Sequence, residues 1–213
     1  MFSRPAAFIF DLDGVLIDSM PLHRDAWRIY LNRLGIPIEN IELRMHGRRN
    51  DEIVSEFIGR DLPASEIFEH GAAKERLFRE MMAPALQAHI VPGVREFLAK
   101  WQATPRAVAS NAESANIDFV LDGAGLRGCF SVIVDGHQVA RAKPAPDVYL
   151  RAAELLGVAP ADCIVFEDSP AGVEAGRAAG SRVIGVGTHT MDLPGTELVV
   201  RDFHDPALER WLS

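Results

Sequence analysis

The sequence of 213 residues has little cysteine and no long apolar run. Its two cysteines, Cys129 and Cys163, form no C-x-x-C pair, which argues against a disulfide scaffold and against a structural zinc site. The apolar runs are only a few residues long, far short of the about 20 residues that cross a bilayer, so we expect no membrane partner. Hydrophobic residues make up 48% and charged residues 24%, as in folded globular proteins, which argues against disorder.

Positive charge is also scarce, since 22 lysines and arginines face 30 aspartates and glutamates and leave a net charge of −8. Proteins that bind nucleic acids neutralise phosphates with basic residues, so we expect no nucleic-acid partner. Residues 1–5 carry one charge and lead directly into a strand-like segment, unlike a signal peptide. We therefore expect a cytoplasmic protein that is a monomer or a weak oligomer.

Short apolar runs alternate with helical patterns in most of the chain. Near-continuous apolar strands are typical of a parallel sheet that is buried on both faces. The alternation predicts an α/β fold with a doubly wound, Rossmann-like parallel sheet. The predicted strands are 6–10, 106–109, 131–134, 163–166 and 182–186, and the predicted helices are 94–101, 112–124, 146–156 and 171–179.

The segment from residue 21 to residue 90 has a different pattern, with helices predicted at 21–34, 51–58 and 65–82 and no convincing strand. We interpret it as a helical unit inserted after the first strand. The predicted division is an α/β core of residues 1–16 and 93–213 and a helical cap of residues 17–92, with boundaries uncertain by five residues. The alternative is that these helices belong to one merged core.

Polar side chains follow four of the predicted strands, at the point where each strand ends. Ligands of doubly wound sheets bind beyond the carboxyl ends of the strands, so we expect these side chains to share one crevice. They are Asp11 and Asp13 after the first strand, Ser110 and Asn111 after the second, Lys143 in the loop after the third, and Glu167 and Asp168 after the fourth.

This set of residue types suits the chemistry of phosphoryl groups. Neighbouring carboxylates repel one another unless a cation lies between them, and hard oxygen ligands suit Mg²⁺. Ser110 and Asn111 are predicted where a strand meets a helix N-terminus, which favours an anion, and Lys143 adds a positive charge. One carboxylate can then act as the nucleophile and form an aspartyl-phosphate.

Four motifs resemble those of the haloacid dehalogenase superfamily, in the same order and over nearly the whole chain. DLDGVL at 11–16 resembles the first motif, Ser110 the second, Lys143 the third and EDSPAG at 167–172 the fourth. The subgroup with a helical cap, which contains phosphatases and β-phosphoglucomutase-like enzymes, is the most similar. The inserted helices match the place of that cap.

The resemblance implies a role for each acidic residue. Asp11 would attack phosphorus and bind Mg²⁺, and Asp13 would act as general acid and base while giving its backbone carbonyl to the metal. Asp168 would complete the protein ligands, with Glu167 either as a ligand or as a group behind the ligands. True dehalogenases lack the second acid of the first motif, so Asp13 argues against carbon–halogen hydrolysis. The phosphoryl group would be held by Ser110 and Lys143, with Asn111 beside them.

The resemblance also assigns substrate contacts to the cap. His23 and Trp27 lie one helical turn apart and match positions in β-phosphoglucomutase-like sequences, where the histidine supports the acid/base aspartate. The alternative is that Trp27 only packs and that His23 caps the helix or faces water. Arg49 lies in a loop that reads the substrate in such relatives, although the arginine spacing of the mutases is not reproduced. Lys74 matches a cap lysine, with a solvated helix face as the alternative.

Together these features predict a Mg²⁺-dependent phosphatase for a small phosphorylated metabolite, most plausibly a sugar phosphate. A phosphomutase, in which a second sugar hydroxyl replaces water as the acceptor, is the nearest alternative. A phospho-aspartate signalling receiver also combines an acidic cluster with a Lys-Pro pair. That module carries its aspartate after a middle strand, however, and has no room for the inserted helices.

Overall fold

The structure, a computed structural model, describes residues 5–37, 44 and 48–213. Its centre is a sheet of six parallel strands in the order β3-β2-β1-β4-β5-β6. The five predicted strands are confirmed, and a sixth strand of three residues at the sheet edge was not predicted. The strands are β1 (Ala7–Phe10), β2 (Arg106–Ala109), β3 (Val132–Val134), β4 (Cys163–Glu167), β5 (Arg182–Val186) and β6 (Leu198–Val200).

Helices cover both faces of the sheet, as the apolar strands predicted. Phe8 and Phe10 of β1 belong to one hydrophobic cluster, whereas Ala7 and Ile9 belong to a second cluster on the opposite face. Successive side chains of a strand point to opposite faces, so both faces of β1 are buried. The helices outside the inserted segment are α4 (Val94–Lys100), α5 (Ser114–Gly123), α6 (Asp147–Leu156), α7 (Pro170–Ala178) and α8 (Pro206–Leu212).

The inserted segment is helical where it is described. It contains α1 (Met20–Arg33), α2 (Asn50–Phe57), α3 (Ala64–Met82) and a 3₁₀ helix (Ala83–His89). The helices have a small cluster of their own around Trp27 and Leu31, while Phe78 joins the cluster on the sheet. The division into a core of 1–16 and 93–213 and a cap of 17–92 stays a prediction.

The two connections between the helices and the sheet run side by side. Asp18 donates its backbone N–H to the carbonyl of His89 at 2.7 Å, and Val91 donates to Leu16 at 3.1 Å. This pairing places the start of α1 next to the carboxyl end of β1, which brings the inserted helices over the predicted crevice. Within the described part of the chain, no helix is both long and apolar enough to cross a membrane.

One predicted helix begins later than expected, and this moves two predicted site residues. The helix predicted at 112–124 begins at Ser114, after an extended Glu113. Ala112 instead donates its backbone N–H to the Ser110 hydroxyl at 3.1 Å, which forms a turn. Ser110 and Asn111 therefore lie in the loop before α5 and not at its N-terminus.

Candidate active site

The structure brings the predicted site residues together at the carboxyl ends of the strands. Nine of the ten line one pocket of about 90 Å³ between the sheet and the inserted helices. The tenth, Glu167, is fully buried directly beneath it. The nine are Asp11, Asp13, His23, Arg49, Lys74, Ser110, Asn111, Lys143 and Asp168.

Three carboxyl groups form an acidic cluster at the floor of this pocket. Asp11 follows β1, and Glu167 and Asp168 lie at the end of β4, which pairs with β1. The three side chains each offer an oxygen, and these oxygens lie within 4.8 Å of one another. Burial is the main cause that raises the pKa of Asp11, which reaches about 8. The positive charge of Lys143 lowers this pKa, whereas the neighbouring carboxylates raise it further. A bound cation would relieve this repulsion.

Glu167 is already engaged by protein donors, although its oxygens lie within reach of the cluster. Its Oε1 accepts from Lys143 Nζ at 2.6 Å and from the Tyr149 hydroxyl at 2.5 Å, and its Oε2 accepts from the backbone N–H of Asp168 at 2.9 Å. Burial raises the pKa of Glu167, but Lys143, Tyr149 and the backbone N–H of Ser169 together outweigh it and hold the pKa below its usual range. The structure thus favours Glu167 as a group behind the ligands, where it holds Lys143. A Cβ on Gly172 would overlap this carboxylate, so glycine lets α7 approach it.

Lys143 is the cation of the pocket floor. Its Nζ lies 2.9 Å from Asp11 Oδ1 and 3.2 Å from the carbonyl oxygen of Ala109. Burial lowers the pKa of Lys143, but Asp11 and Glu167 outweigh it and raise the pKa above its usual value. The lysine therefore stays charged beside Asp11, where it can neutralise a phosphoryl oxygen.

Tyr149 is a member of this network that sequence reasoning missed. It is fully buried on α6, its hydroxyl binds Glu167, and its ring lies 4.8 Å from Lys143 Nζ. The available signal was a tyrosine within the predicted helix 146–156, shortly after the Lys143 loop. That signal does not show which side chain the hydroxyl meets.

Ser110 and Asn111 line the side of the pocket next to Lys143. The Ser110 hydroxyl accepts from Ala112, so its own hydrogen can be donated into the pocket. Asn111 Oδ1 accepts the backbone N–H of Lys143 at 3.3 Å, which ties the loops after β2 and β3 together. The two loops thus bring a hydroxyl and an ammonium group to the pocket that Asp11 lines.

Asp11 and Asp168 are the residues that fit a divalent cation. Both offer carboxylate oxygens, and no histidine or thiol belongs to the cluster within the described residues. Gly14 makes room beside them, because its φ is +79° and a Cβ there would overlap the Asp168 carboxylate. Hard oxygen donors in this number suit Mg²⁺. The backbone carbonyl of Asp13 as a further ligand stays a prediction.

The Asp13 side chain points towards the inserted helices and away from the acidic cluster. Its Oδ1 accepts from the Ser19 hydroxyl at 2.5 Å and lies 3.4 Å from His23 Nε2. Burial raises the pKa of Asp13, but the hydrogen bond and charge of His23 and the hydrogen bond from Ser19 outweigh it and hold the pKa below its usual range. Ser19 precedes α1 without capping it through its side chain, so its hydroxyl serves Asp13.

His23 and Lys74 are buried together on the cap side of the pocket. His23 stacks on Phe78 at 3.7 Å between ring centroids, and its Nδ1 lies 3.0 Å from Lys74 Nζ. The other ring nitrogen, Nε2, faces Asp13. The alternatives of a water-facing His23 and a solvated Lys74 are wrong, since Lys74 is only 2% exposed. Trp27 packs in the cap cluster and also lies 5.1 Å from Lys74 Nζ.

Glu75 is a pocket residue that sequence reasoning missed. It is 4% exposed, and its Oε1 accepts from Lys74 Nζ at 2.6 Å and from Asn50 Nδ2 at 2.7 Å. Its Oε2 accepts from Asn116 Nδ2 of α5 at 2.6 Å, so it joins the inserted helices to the core. Burial raises the pKa of Glu75, but Lys74 and His23 outweigh it and lower the pKa to about 2. The sequence indicated Glu75 only as part of the charged pair Lys74–Glu75, which lies among the buried positions of α3.

The two arginines of the predicted substrate loop are bound to protein groups. Arg49 donates through Nη2 to the carbonyl oxygens of Gly136 and Val139, the latter at 3.2 Å. Arg48 pairs with Glu52 at 3.2 Å and with a second glutamate of α2. Arg49 thus links the inserted helices to the core loop after β3. Residue 47, the first of this loop, lies outside the described residues.

Comparison with known proteins identifies the family. Residues 5–180 match the family model described as haloacid dehalogenase-like hydrolase. The chain is 34% identical over 190 residues to the fructose-1-phosphate phosphatase YqaB of Escherichia coli, which covers 87% of this chain and 98% of that protein. It is 31% identical over 209 residues to the β-phosphoglucomutase of Bacillus subtilis, with 95% and 92% covered.

A solved structure shows the same fold. The crystal structure of β-phosphoglucomutase from Clostridium difficile matches with a TM-score of 0.86 and 26% identity, covering 98% of this chain and 96% of that one. The resemblance predicted from the four motifs is confirmed by the family model, the relatives and this structure together. The chain belongs to the haloacid dehalogenase-like hydrolases.

Proposed function

We propose that this enzyme is a Mg²⁺-dependent phosphatase that hydrolyses a small sugar phosphate through a phosphoryl group on Asp11. The observation that carries the proposal is the position of Asp11. Its carboxylate follows β1 and lies at the floor of the pocket, 2.9 Å from Lys143 Nζ and beside Asp168. The pocket lies between the sheet and the inserted helices, which favours a small substrate over a polymer.

In the first half-reaction, a carboxylate oxygen of Asp11 attacks phosphorus, and the bond from phosphorus to the sugar oxygen breaks. Lys143 and Ser110 hold the transferring phosphoryl oxygens. Mg²⁺ held by Asp11 and Asp168 would supply further charge neutralisation for the phosphoryl oxygens. Asp13 lies on the cap side, where the sugar oxygen leaves; the negative charge of the bound phosphoryl group raises its pKa, so that it takes up a proton and delivers it to this oxygen.

In the second half-reaction, water attacks the phosphoryl group on Asp11 and Asp13 accepts its proton. The structure supports the base role, because Ser19 and His23 stabilise the Asp13 carboxylate. The inserted helices over the pocket would exclude bulk water and select the leaving group. We extend the proposal to a cytoplasmic enzyme that acts as a monomer or a weak oligomer.

A phosphomutase of the β-phosphoglucomutase type is the second candidate. The placement of His23 and Lys74 beside Asp13 favours it, as does the relative from Bacillus subtilis. The contacts of Arg49 count against it, since its Nη2 donates to two core carbonyls and is engaged there. Family membership and the helices between β1 and β2 argue against a signalling receiver.

A substrate panel separates the two candidates. The purified enzyme would be incubated with sugar monophosphates, with and without a sugar bisphosphate as activator, and inorganic phosphate and isomerised sugar phosphate would both be measured. The proposal predicts phosphate release without the activator and none from the Asp11→Asn variant. Isomerisation that depends on the bisphosphate would establish the mutase instead, and neither product from any substrate would contradict both.

A further inference from the structure

The cap side of the pocket carries a buried cation that the proposed chemistry does not explain. Lys74 Nζ lines the pocket opposite the acidic cluster, on the side where the leaving group must lie. An isolated ammonium in a buried site attracts a second anionic group, such as another phosphate or a carboxylate. On its own, Lys74 would therefore favour bisphosphates and phosphorylated acids.

Glu75 cancels this charge inside the same pocket. Its carboxylate lies 2.6 Å from Lys74 Nζ and also lines the pocket. Asn50 and Asn116, on different helices, hold its two oxygens in place at 2.7 and 2.6 Å. A carboxylate held from three sides remains in position when the substrate arrives, so the pair presents a fixed net charge near zero.

Two cap arginines also line the pocket: glutamates neutralise Arg48, whereas Arg49 keeps its charge and has a buried Nε without a hydrogen-bond partner among the described residues. Arg49 directs its guanidinium to the carbonyls of Gly136 and Val139, and Arg48 is paired with Glu52. The leaving group meets Asp13, Arg49, the Lys74–Glu75 pair, Asn50 and Asn116. These groups offer donors and acceptors for hydroxyls, while the charge of Asp13 offsets that of Arg49 and the charge of Glu75 offsets that of Lys74.

We infer that Glu75 is a specificity-determining residue that selects monophosphates with a neutral, hydroxyl-bearing leaving group and rejects substrates with a second anionic group. The inference rests on the proposed function, because it assumes that the leaving group occupies the cap side of this pocket. The inference defines the substrate class by the charge of the leaving group, and neither the family nor the relatives give that charge for this chain.

The test measures binding in the Asp11→Asn background, so that it does not depend on turnover. Calorimetry would compare a hexose 1-phosphate with the hexose 1,6-bisphosphate, and glycerol 3-phosphate with 3-phosphoglycerate, which differ by one anionic group within each pair. Adding Glu75→Gln should shift the preference towards the more anionic member of each pair by about tenfold or more, because one buried negative charge is removed. Arg49 is the same in every variant, so its charge cancels in the comparison.

Three further variants serve as controls for this measurement. Glu80→Gln removes an exposed carboxylate from the same helix and should leave the preference unchanged. Lys74→Gln should shift the preference in the opposite direction, and the double variant Lys74→Gln/Glu75→Gln should return it close to the original value. A general disturbance of the cap cannot produce opposite shifts, and the double variant keeps the test open if Glu75→Gln alone fails to fold.

The outcomes separate this inference from the proposed function. A preference that stays within about twofold in Glu75→Gln, or that shifts equally in Glu80→Gln, would overturn the role of Glu75. Absence of phosphate release by the unmodified enzyme would contradict the proposed function and leave the binding result as a separate finding. Tight binding of the bisphosphates by the enzyme with Glu75 intact would contradict the inference directly.

Discussion

The stability of the enzyme should depend on pH through Glu75, and the size of the effect follows from its contacts. The Lys74 ammonium, His23 and the amide of Asn116 lower the pKa of this buried carboxyl from 4.5 to about 2, in spite of burial. Each tenfold change in a protonation equilibrium is worth about 1.4 kcal/mol, so ionised Glu75 stabilises the fold by roughly 3 kcal/mol at neutral pH.

The direction of the effect follows from the lowered pKa. The stabilisation is fully present above pH 4.5, where the unfolded chain also carries an ionised Glu75. It declines as the pH falls towards 2, because the unfolded chain binds the proton first. About 2 kcal/mol of it should be lost between pH 7 and pH 3.

The assay is urea unfolding of the enzyme and of the Glu75→Gln variant at several pH values between 7 and 3. Glutamine has the same shape and does not titrate, so the difference between the two free energies of unfolding isolates Glu75 from the other carboxyls. The difference should shrink by about 2 kcal/mol towards pH 3. A difference that stays constant with pH, or that grows on acidification, would refute the assignment of Glu75 as the ionised partner of Lys74.

Three other perturbations test the site. Asp13→Asn should lower turnover of a sugar phosphate by about 10²–10⁴-fold. An aryl phosphate with a good leaving group should still phosphorylate Asp11 in this variant, and the phosphoenzyme should accumulate. Steady-state turnover of the aryl phosphate at the wild-type rate would rule out the acid/base role of Asp13. Chelation should abolish activity, and Mg²⁺ should restore it far better than Ca²⁺, which recruits extra ligands and could engage both Asp11 oxygens; full activity in excess EDTA would contradict a metal requirement. Tyr149→Phe removes a donor from buried Glu167 and should lower the free energy of unfolding by about 1.5–3 kcal/mol; an unchanged unfolding midpoint would show that the hydroxyl does not hold Glu167.

The strands and the crevice could be predicted because their signals are local. A buried parallel strand is a short apolar run, and a polar residue that follows it must lie at the carboxyl edge of the sheet. Asp11, Ser110, Lys143 and Asp168 were found in this way. The edge strand β6, which is three residues long like β3, was not found.

The missed residues depend on contacts between distant elements. Glu75 gains its importance from Asn116 and Asn50, which lie 41 and 25 positions away in the chain. Tyr149 meets Glu167 across the sheet edge in the same manner. Such partners have no fixed spacing, so a sequence pattern indicates at most that a polar group is buried.

In the loop before α5, a side-chain hydrogen bond competes with helix formation, and the apolar periodicity of the sequence did not reveal this. Apolar periodicity predicted a helix from residue 112, but the Ser110 hydroxyl accepts the N–H of Ala112 and delays the helix to Ser114. Serine side chains offer the backbone such alternatives to helical bonds. The consequence is that Ser110 faces the pocket from a turn and not from a helix N-terminus.

The central claim is that Asp11 carries the phosphoryl group during turnover. The most direct measurement is rapid acid quench of the enzyme with excess substrate, followed by borohydride reduction, which converts an aspartyl-phosphate to homoserine, and peptide mass spectrometry. The account predicts homoserine at position 11 in the active enzyme and none in Asp11→Asn. Turnover with an unmodified position 11, or homoserine at position 13 or 168 in its place, would contradict it.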